Sequence, residues 1–90
     1  MKKRERLEII RDILSAINEK GPEALPTHIL YKSNLSSQML KEYLSELQQK
    51  SFIAEIRDKR GKVRYSLTQR GFDFLKDYEV VQRFIDSYGL

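Results

Sequence analysis

Between Phe52 and Leu67 the spacing of the apolar side chains drops from a helical period to a period of two, and after Thr68 it returns to helical. Phe52, Ala54 and Ile56 alternate along one strand ahead of Asp58-Lys59-Arg60-Gly61, and Val63, Tyr65 and Leu67 alternate beyond it. This is the pattern of a half-buried β-hairpin, one face wet and one face covered. With Asp58–Gly61 as the loop, Arg57 faces Lys62, Ile56 faces Val63 and Phe52 faces Leu67, which collects the alternating apolar residues on one side. Glu55 then lands opposite Arg64 on the outer face as a favourable cross-strand pair.

Helical periods bracket the hairpin. Leu7, Ile10, Leu14 and Ile17 recur at 3-4-3 spacing and predict a helix from about Arg4 to Glu19, ended by Gly21-Pro22. A second stripe on it, Ile9, Ile13 and Ala16, widens the apolar face and predicts a further contact, with the C-terminal helix or with another chain. Thr27 is a good N-cap for a short helix from His28 to about Ser33. Asn34-Leu35-Ser36 reads as a turn whose Ser36 caps a third helix, Ser37 to Lys50. There Leu40, Tyr43, Leu44 and Leu47 share one face, and Gln38, Lys41, Glu42, Ser45 and Gln49 the other. Thr68 caps a last helix running to about Ser87, on which Phe72 and Leu75 point back at the domain. Phe74, Tyr78, Val81, Ile85 and Tyr88 follow the 4-3-4-3 spacing of a coiled-coil seam.

Ninety residues allow one compact core. The division expected is one folded unit over residues 1–68 and a dimerisation helix over residues 69–90, with no repeat or linker. No apolar run is long enough to cross a membrane, and the basic stretch Met1–Arg6 has no apolar segment after it, as a secretory signal would. The absence of cysteine excludes disulfides and thiolate metal sites, and fits a reducing cytoplasm. His28, the sole histidine, has no partners for a metal site or catalytic triad, and reads as a helix-start residue near the surface. No phosphate-cradling glycine loop or activated nucleophile is present. Neither enzymatic activity nor a cofactor is expected.

The net charge of +4 favours an anionic partner, and the excess is local. Arg57, Lys59, Arg60, Lys62 and Arg64 crowd the hairpin against only Glu55 and Asp58, whereas the stretch from Gln69 onward is slightly acidic. Helix, short helix, turn, helix, hairpin is the order of a winged helix-turn-helix, so the predicted fold is mainly α with a β-hairpin, plus a C-terminal dimerisation helix. In that fold the third helix enters the major groove. Small or polar side chains near its start (Ser36, Ser37, Gln38, Lys41, Ser45) can approach base edges or phosphates, with Tyr31 and Lys32 of the short helix beside them. The basic hairpin tip meets phosphates and releases counterions.

The stretch Thr27-His28-Ile29-Leu30-Tyr31-Lys32-Ser33-Asn34-Leu35-Ser36 resembles the helix-two signature of a family of small archaeal winged-helix DNA-binding proteins, and Tyr65-Ser66-Leu67-Thr68-Gln69-Arg70-Gly71 resembles its strand-to-last-helix junction. The resemblance covers essentially the whole chain. It implies a chromatin-type or regulatory protein of the cytoplasm, dimeric through an antiparallel coiled coil of its last helices, as members found in Sulfolobus are. Three features depart from the pattern. Ser51 stands where members usually carry glycine, Glu42 and Glu46 put acid on the recognition helix, and the last helix is short for a long coiled coil.

Two other functions compete with this reading. One is a winged-helix protein-interaction module without a nucleic-acid role, which has no need of so many basic residues around one loop. The other is a ligand-responsive repressor with its effector at the dimer interface, where no polar cluster is found.

Overall fold

The computed structural model describes residues 5–21 and 24–90. Among them four helices and one hairpin follow in the order α1 (Arg6–Lys20), α2 (Pro26–Ser33), α3 (Ser37–Gln49), β1 (Ile53–Arg57), β2 (Val63–Leu67) and α4 (Gln69–Ser87). No helix among the described residues is long and apolar enough to cross a membrane. The expected start of α1 at Arg4 and the helix-ending Pro22 lie outside the described residues.

The core gathers Ile10, Leu14 and Ile17 of α1, Ile29 of α2, Leu40, Leu44 and Leu47 of α3, Ile53 of β1 and Tyr65 of β2. Both apolar stripes of α1 are needed for it. Ile9, Ile13 and Ala16 are buried within this chain, so they are not a surface held in reserve for a second copy. Leu7, expected on the core stripe, lies in the first turn of α1 and is 55% exposed.

Each helix end has its own chemistry. Gly21, at φ 63°, closes α1 and donates its N–H to the Asn18 carbonyl. Pro26 opens α2 as its first residue and Leu25 is the N-cap, so Thr27 is not the cap that its side chain suggested. Proline needs no hydrogen-bond acceptor there and its φ is already helical, which moves the start upstream. Ser36 caps α3 as expected, its Oγ accepting from the Met39 N–H at 3.2 Å. At the other end of α3, the Phe52 N–H donates to the Leu47 carbonyl (2.9 Å) and the Ser51 N–H to Gln48 (3.1 Å). This Schellman arrangement requires Ser51 in the left-handed region, and its φ is 65°.

The hairpin forms where expected, one residue out of the expected register. The pairs are Ile53 with Leu67, Ala54 with Ser66, Glu55 with Tyr65, Ile56 with Arg64 and Arg57 with Val63. The turn imposes this. The Asp58 N–H donates to the Lys62 carbonyl (3.0 Å) and the Gly61 N–H to the Asp58 carbonyl (2.9 Å), with Gly61 at φ 78°. A tighter loop, Lys59 to Gly61 and closed by a left-handed glycine, thus replaces the Asp58–Gly61 loop that would align Arg57 with Lys62. A slip of one residue turns a strand over. Ile53 is therefore the residue of β1 that enters the core, and Ile56 is 42% exposed on the outer face. Glu55 does not oppose Arg64: its carboxylate lies 3.9 Å from Arg57, while Arg64 reaches Asp58 at 3.8 Å. Ala24 adds a short bridge to β2, accepting the Tyr65 N–H at 2.8 Å.

Thr68 caps α4 as expected, accepting from the Gly71 N–H at 3.2 Å, and its hydroxyl donates to the Ser51 carbonyl at 2.5 Å. The first turns of α4 reverse two expectations. Phe72 is 45% exposed, whereas Phe74, expected on the coiled-coil seam, packs against the core with Leu75. Phe74 meets Phe52 edge to face at 5.8 Å. The choice between the two phenylalanines follows from Gly71, which seats the helix directly against the backbone of Phe52 and so fixes its rotation.

Candidate nucleic-acid interface

The faces of α3 are sharply divided. Leu40, Leu44 and Leu47 are buried, and Ser37, Gln38, Lys41, Glu42, Ser45 and Gln49 are exposed, so the third helix presents the polar row expected of it. Ser36 is exposed at its start. Gln38 donates to the Glu42 carboxylate at 3.3 Å, which ties a residue expected to read DNA to an acid one turn away. Lys41 and Ser45 take part in no hydrogen bond or ion pair through their side chains among the described residues.

Glu46 behaves differently from Glu42. Arg6 of α1 reaches across to its carboxylate, Lys50 holds the same oxygen at 3.0 Å, and the Arg6 guanidinium lies 5.7 Å from the Tyr43 ring centre. These two hydrogen-bonded cations, Arg6 foremost, hold the Glu46 carboxyl below the usual carboxylate range. Much of its repulsion of a phosphate is therefore cancelled. The Arg6–Glu46 contact joins residues 40 apart in the chain, and no local spacing in the sequence announces it.

On α2, Tyr31 is 83% exposed and Lys32 lies 3.5 Å from Glu19. His28 is half-buried, and its Nε2 is buried without a hydrogen-bond partner among the described residues. It is packed more than a surface histidine at a helix start would be.

The wing tip is organised by its one acid. Asp58 Oδ1 accepts from the backbone N–H groups of Arg60 and Lys62, each at 2.9 Å. The Lys62 bond is the main cause holding the Asp58 carboxyl below the usual range, with Arg60 N–H and the charge of Arg64 assisting. Asp58 therefore braces the loop. Lys59, Arg60 and Lys62 stand exposed around it with no ion pair among the described residues. Arg57 is exposed beside Glu55, and Arg64 is half-buried against Asp58. The expected residues are thus grouped as an open polar face on α3, a basic hairpin tip, and two side chains on α2.

Beyond Leu75, α4 leaves the core. Tyr78 is half-buried, its ring 5.4 Å from the Arg11 guanidinium and 6.0 Å from the ring of Phe74. Val80, Val81, Phe84 and Tyr88 are exposed and Ile85 is half-exposed. Phe84 and Tyr88 lie 5.2 Å apart, ring centre to ring centre. Val80 and Phe84 were not among the expected seam residues, although their four-residue spacing places them on its flank.

A family model described as winged helix-turn-helix matches residues 3–86. Among solved structures, the chain resembles Sso10a-2, a DNA-binding protein from Sulfolobus solfataricus, with a TM-score of 0.79 at 20% identity over 96% of this chain and 87% of that one. It also resembles Bordetella bronchiseptica BpsR, whose DNA binding is regulated by 6-hydroxynicotinic acid (TM-score 0.76, 16% identity, 89% of this chain, 61% of that one). A point mutant of S. aureus MepR, bound to an oligodeoxyribonucleotide, is similar too (TM-score 0.76, 13% identity, 89% of this chain, 60% of that one). The chain spans about three fifths of the length of these last two proteins. No curated protein sequence matches it.

Proposed function

Because the chain belongs to the winged helix-turn-helix family, we propose that it binds duplex DNA as a dimer, as a transcriptional regulator or chromatin-associated protein of the cytoplasm. In this reading α3 lies in the major groove, with Gln38 and Lys41 nearest the base edges and Ser36, Ser37 and Ser45 close to the backbone. The wing lies on a neighbouring stretch of backbone or minor groove through Arg57, Lys59, Arg60, Lys62 and Arg64. Tyr31 and Lys32 flank the groove from α2.

The observation that carries the reading is the wing tip. Three exposed cations surround an acid that is engaged by the backbone of its own turn, so their charge is available to phosphates. A hairpin that served only to complete the fold would need none of them. The DNA-bound and DNA-binding character of the similar structures supports the same conclusion.

The dimer is carried by α4. Val81, Phe84 and Tyr88 form an exposed apolar stripe with Ile85 beyond the domain core, and a second copy of the helix, packed antiparallel, would cover it. Tyr78 lies at the end of this seam nearer the domain.

The discriminating experiment selects fragments from a random DNA pool and compares wild type with Gln38→Ala and Lys41→Ala on the selected site and on random duplex. Weakening by roughly 1–3 kcal/mol on the selected site alone is the expected result. Equal weakening on both would reduce α3 to a backbone contact, and no retained fragment at all would favour a protein-interaction module.

A further inference from the structure

Beside the polar row of α3 lies a cleft that DNA binding does not explain. It measures about 370 Å³ and opens between α2, α3 and β2. That volume falls within the range of small-molecule sites, roughly 300–1,000 Å³. Its walls are mostly apolar: Pro26 and Leu30 come from α2, Leu40 and Leu44 from α3, and Tyr65 from β2. A surface that met only phosphates and base edges would have no use for such walls.

The polar residues of the lining are Thr27, Ser37, Lys41, Ser45, Gln48 and Tyr65. Lys41 is the only charged residue there, and its ammonium has no ion pair among the described residues. The Tyr65 phenol makes no hydrogen bond among the described residues. Burial, with the charge of Glu55 assisting, pushes this phenol up from its ordinary value, so at neutral pH it remains a neutral donor. Ser37 and Ser45 stand at the rim.

We propose that this cleft binds a small monocarboxylate with an apolar body, its anion on Lys41 and its hydrocarbon against Leu30, Leu40, Leu44 and Tyr65. One unpaired cation matches one negative charge, whereas a phosphate dianion or a dicarboxylate would leave charge uncompensated against apolar walls. A neutral ligand would leave the cation unused. Because Ser37, Lys41 and Ser45 also belong to the proposed DNA face, occupancy excludes duplex. That clause rests on the DNA reading; occupancy itself does not.

The test uses 2-naphthoate as probe, followed by its own fluorescence in the absence of DNA, since the chain has no tryptophan. Saturation at one probe per chain is expected. Lys41→Met, which keeps the stem and removes the charge, should weaken binding at least about tenfold, as should replacing the probe by neutral 2-naphthamide. Ser45→Phe, a change at an exposed position that fills the cleft, should abolish binding while circular dichroism reports an intact fold. Absence of saturation below about 1 mM overturns the proposal. So does equal affinity in Lys41→Met, or equal affinity for the amide. In a second arm with labelled duplex, 2-naphthoate should raise the apparent Kd for DNA in the wild type and not in Thr27→Phe, which blocks the same cleft from an exposed lining residue outside the proposed DNA face. Probe binding with no such competition overturns the exclusion, whereas probe binding by a chain that never binds duplex contradicts only the DNA reading.

Discussion

Ser51 and Gly71 stand on either side of the hairpin and show opposite sides of the same backbone chemistry. Ser51 ends α3 at φ 65°, a conformation that costs an L-residue roughly 1–2 kcal/mol and glycine almost nothing. Its side chain makes no hydrogen bond among the described residues; its carbonyl is used, by Thr68. Ser51→Gly should therefore stabilise the protein by about 1 kcal/mol, read as an increase in the urea midpoint at constant m. Gly71 is the reverse case. A Cβ built there would overlap the Phe52 carbonyl oxygen, a backbone atom that cannot rotate aside. Alanine gains about 1 kcal/mol of helix propensity and should lose more than that to the forced separation of α4 from the β1 end, about 1–3 kcal/mol. Net destabilisation of Gly71→Ala by chemical denaturation is the expected outcome, and a more stable variant would show that α4 is free to shift.

At the level of elements, the wing owes its shape to Asp58, and this gives it a pH dependence. The carboxyl is held below its ordinary value by the Lys62 and Arg60 N–H groups, so its contribution is present above the ordinary aspartate range and disappears as pH falls through the depressed value. The Arg60 and Lys62 amide resonances should shift together on acidification, with a midpoint below about 3.9; a midpoint at or above that value would deny the brace. The same turn explains what the sequence could and could not reveal about this element. The period-two alternation and Gly61 made a hairpin legible, as Ser36 and the leucine spacing made α3 legible. Register was not, because Phe52-Ala54-Ile56 and Ile53 offered two apolar phases one residue apart. The choice was made by backbone hydrogen bonds of the Lys59–Gly61 loop, which leave no hydrophobic trace. Phe72 and Phe74 posed the same ambiguity on α4, resolved by the close approach at Gly71. In the candidate interface, exposure and charge could be read from residue type, whereas the pairing of Glu46 with Arg6 depended on how α1 and α3 pack.

The whole molecule extends 50 × 30 × 21 Å, and α4, about 28 Å of helix, begins in the core and continues past it. Pairing two copies through the far half of α4 would carry two wings on one assembly and let weak single contacts act together. Val81→Asp with Ile85→Asp should give a folded monomer by sedimentation, near 10.7 kDa rather than twice that, with weaker binding to long duplex. A wild type that already sediments as a monomer at micromolar concentration would leave α4 without this role. The claim on which the account turns is that the wing cations meet phosphates. Its most direct measurement is the affinity for labelled duplex as a function of salt, for wild type and for Arg60→Ala with Lys62→Ala. The predicted result is weaker binding to every sequence and a slope of log K against log salt that falls by about one for each phosphate the variant no longer neutralises. An unchanged affinity and slope in the double variant would contradict it.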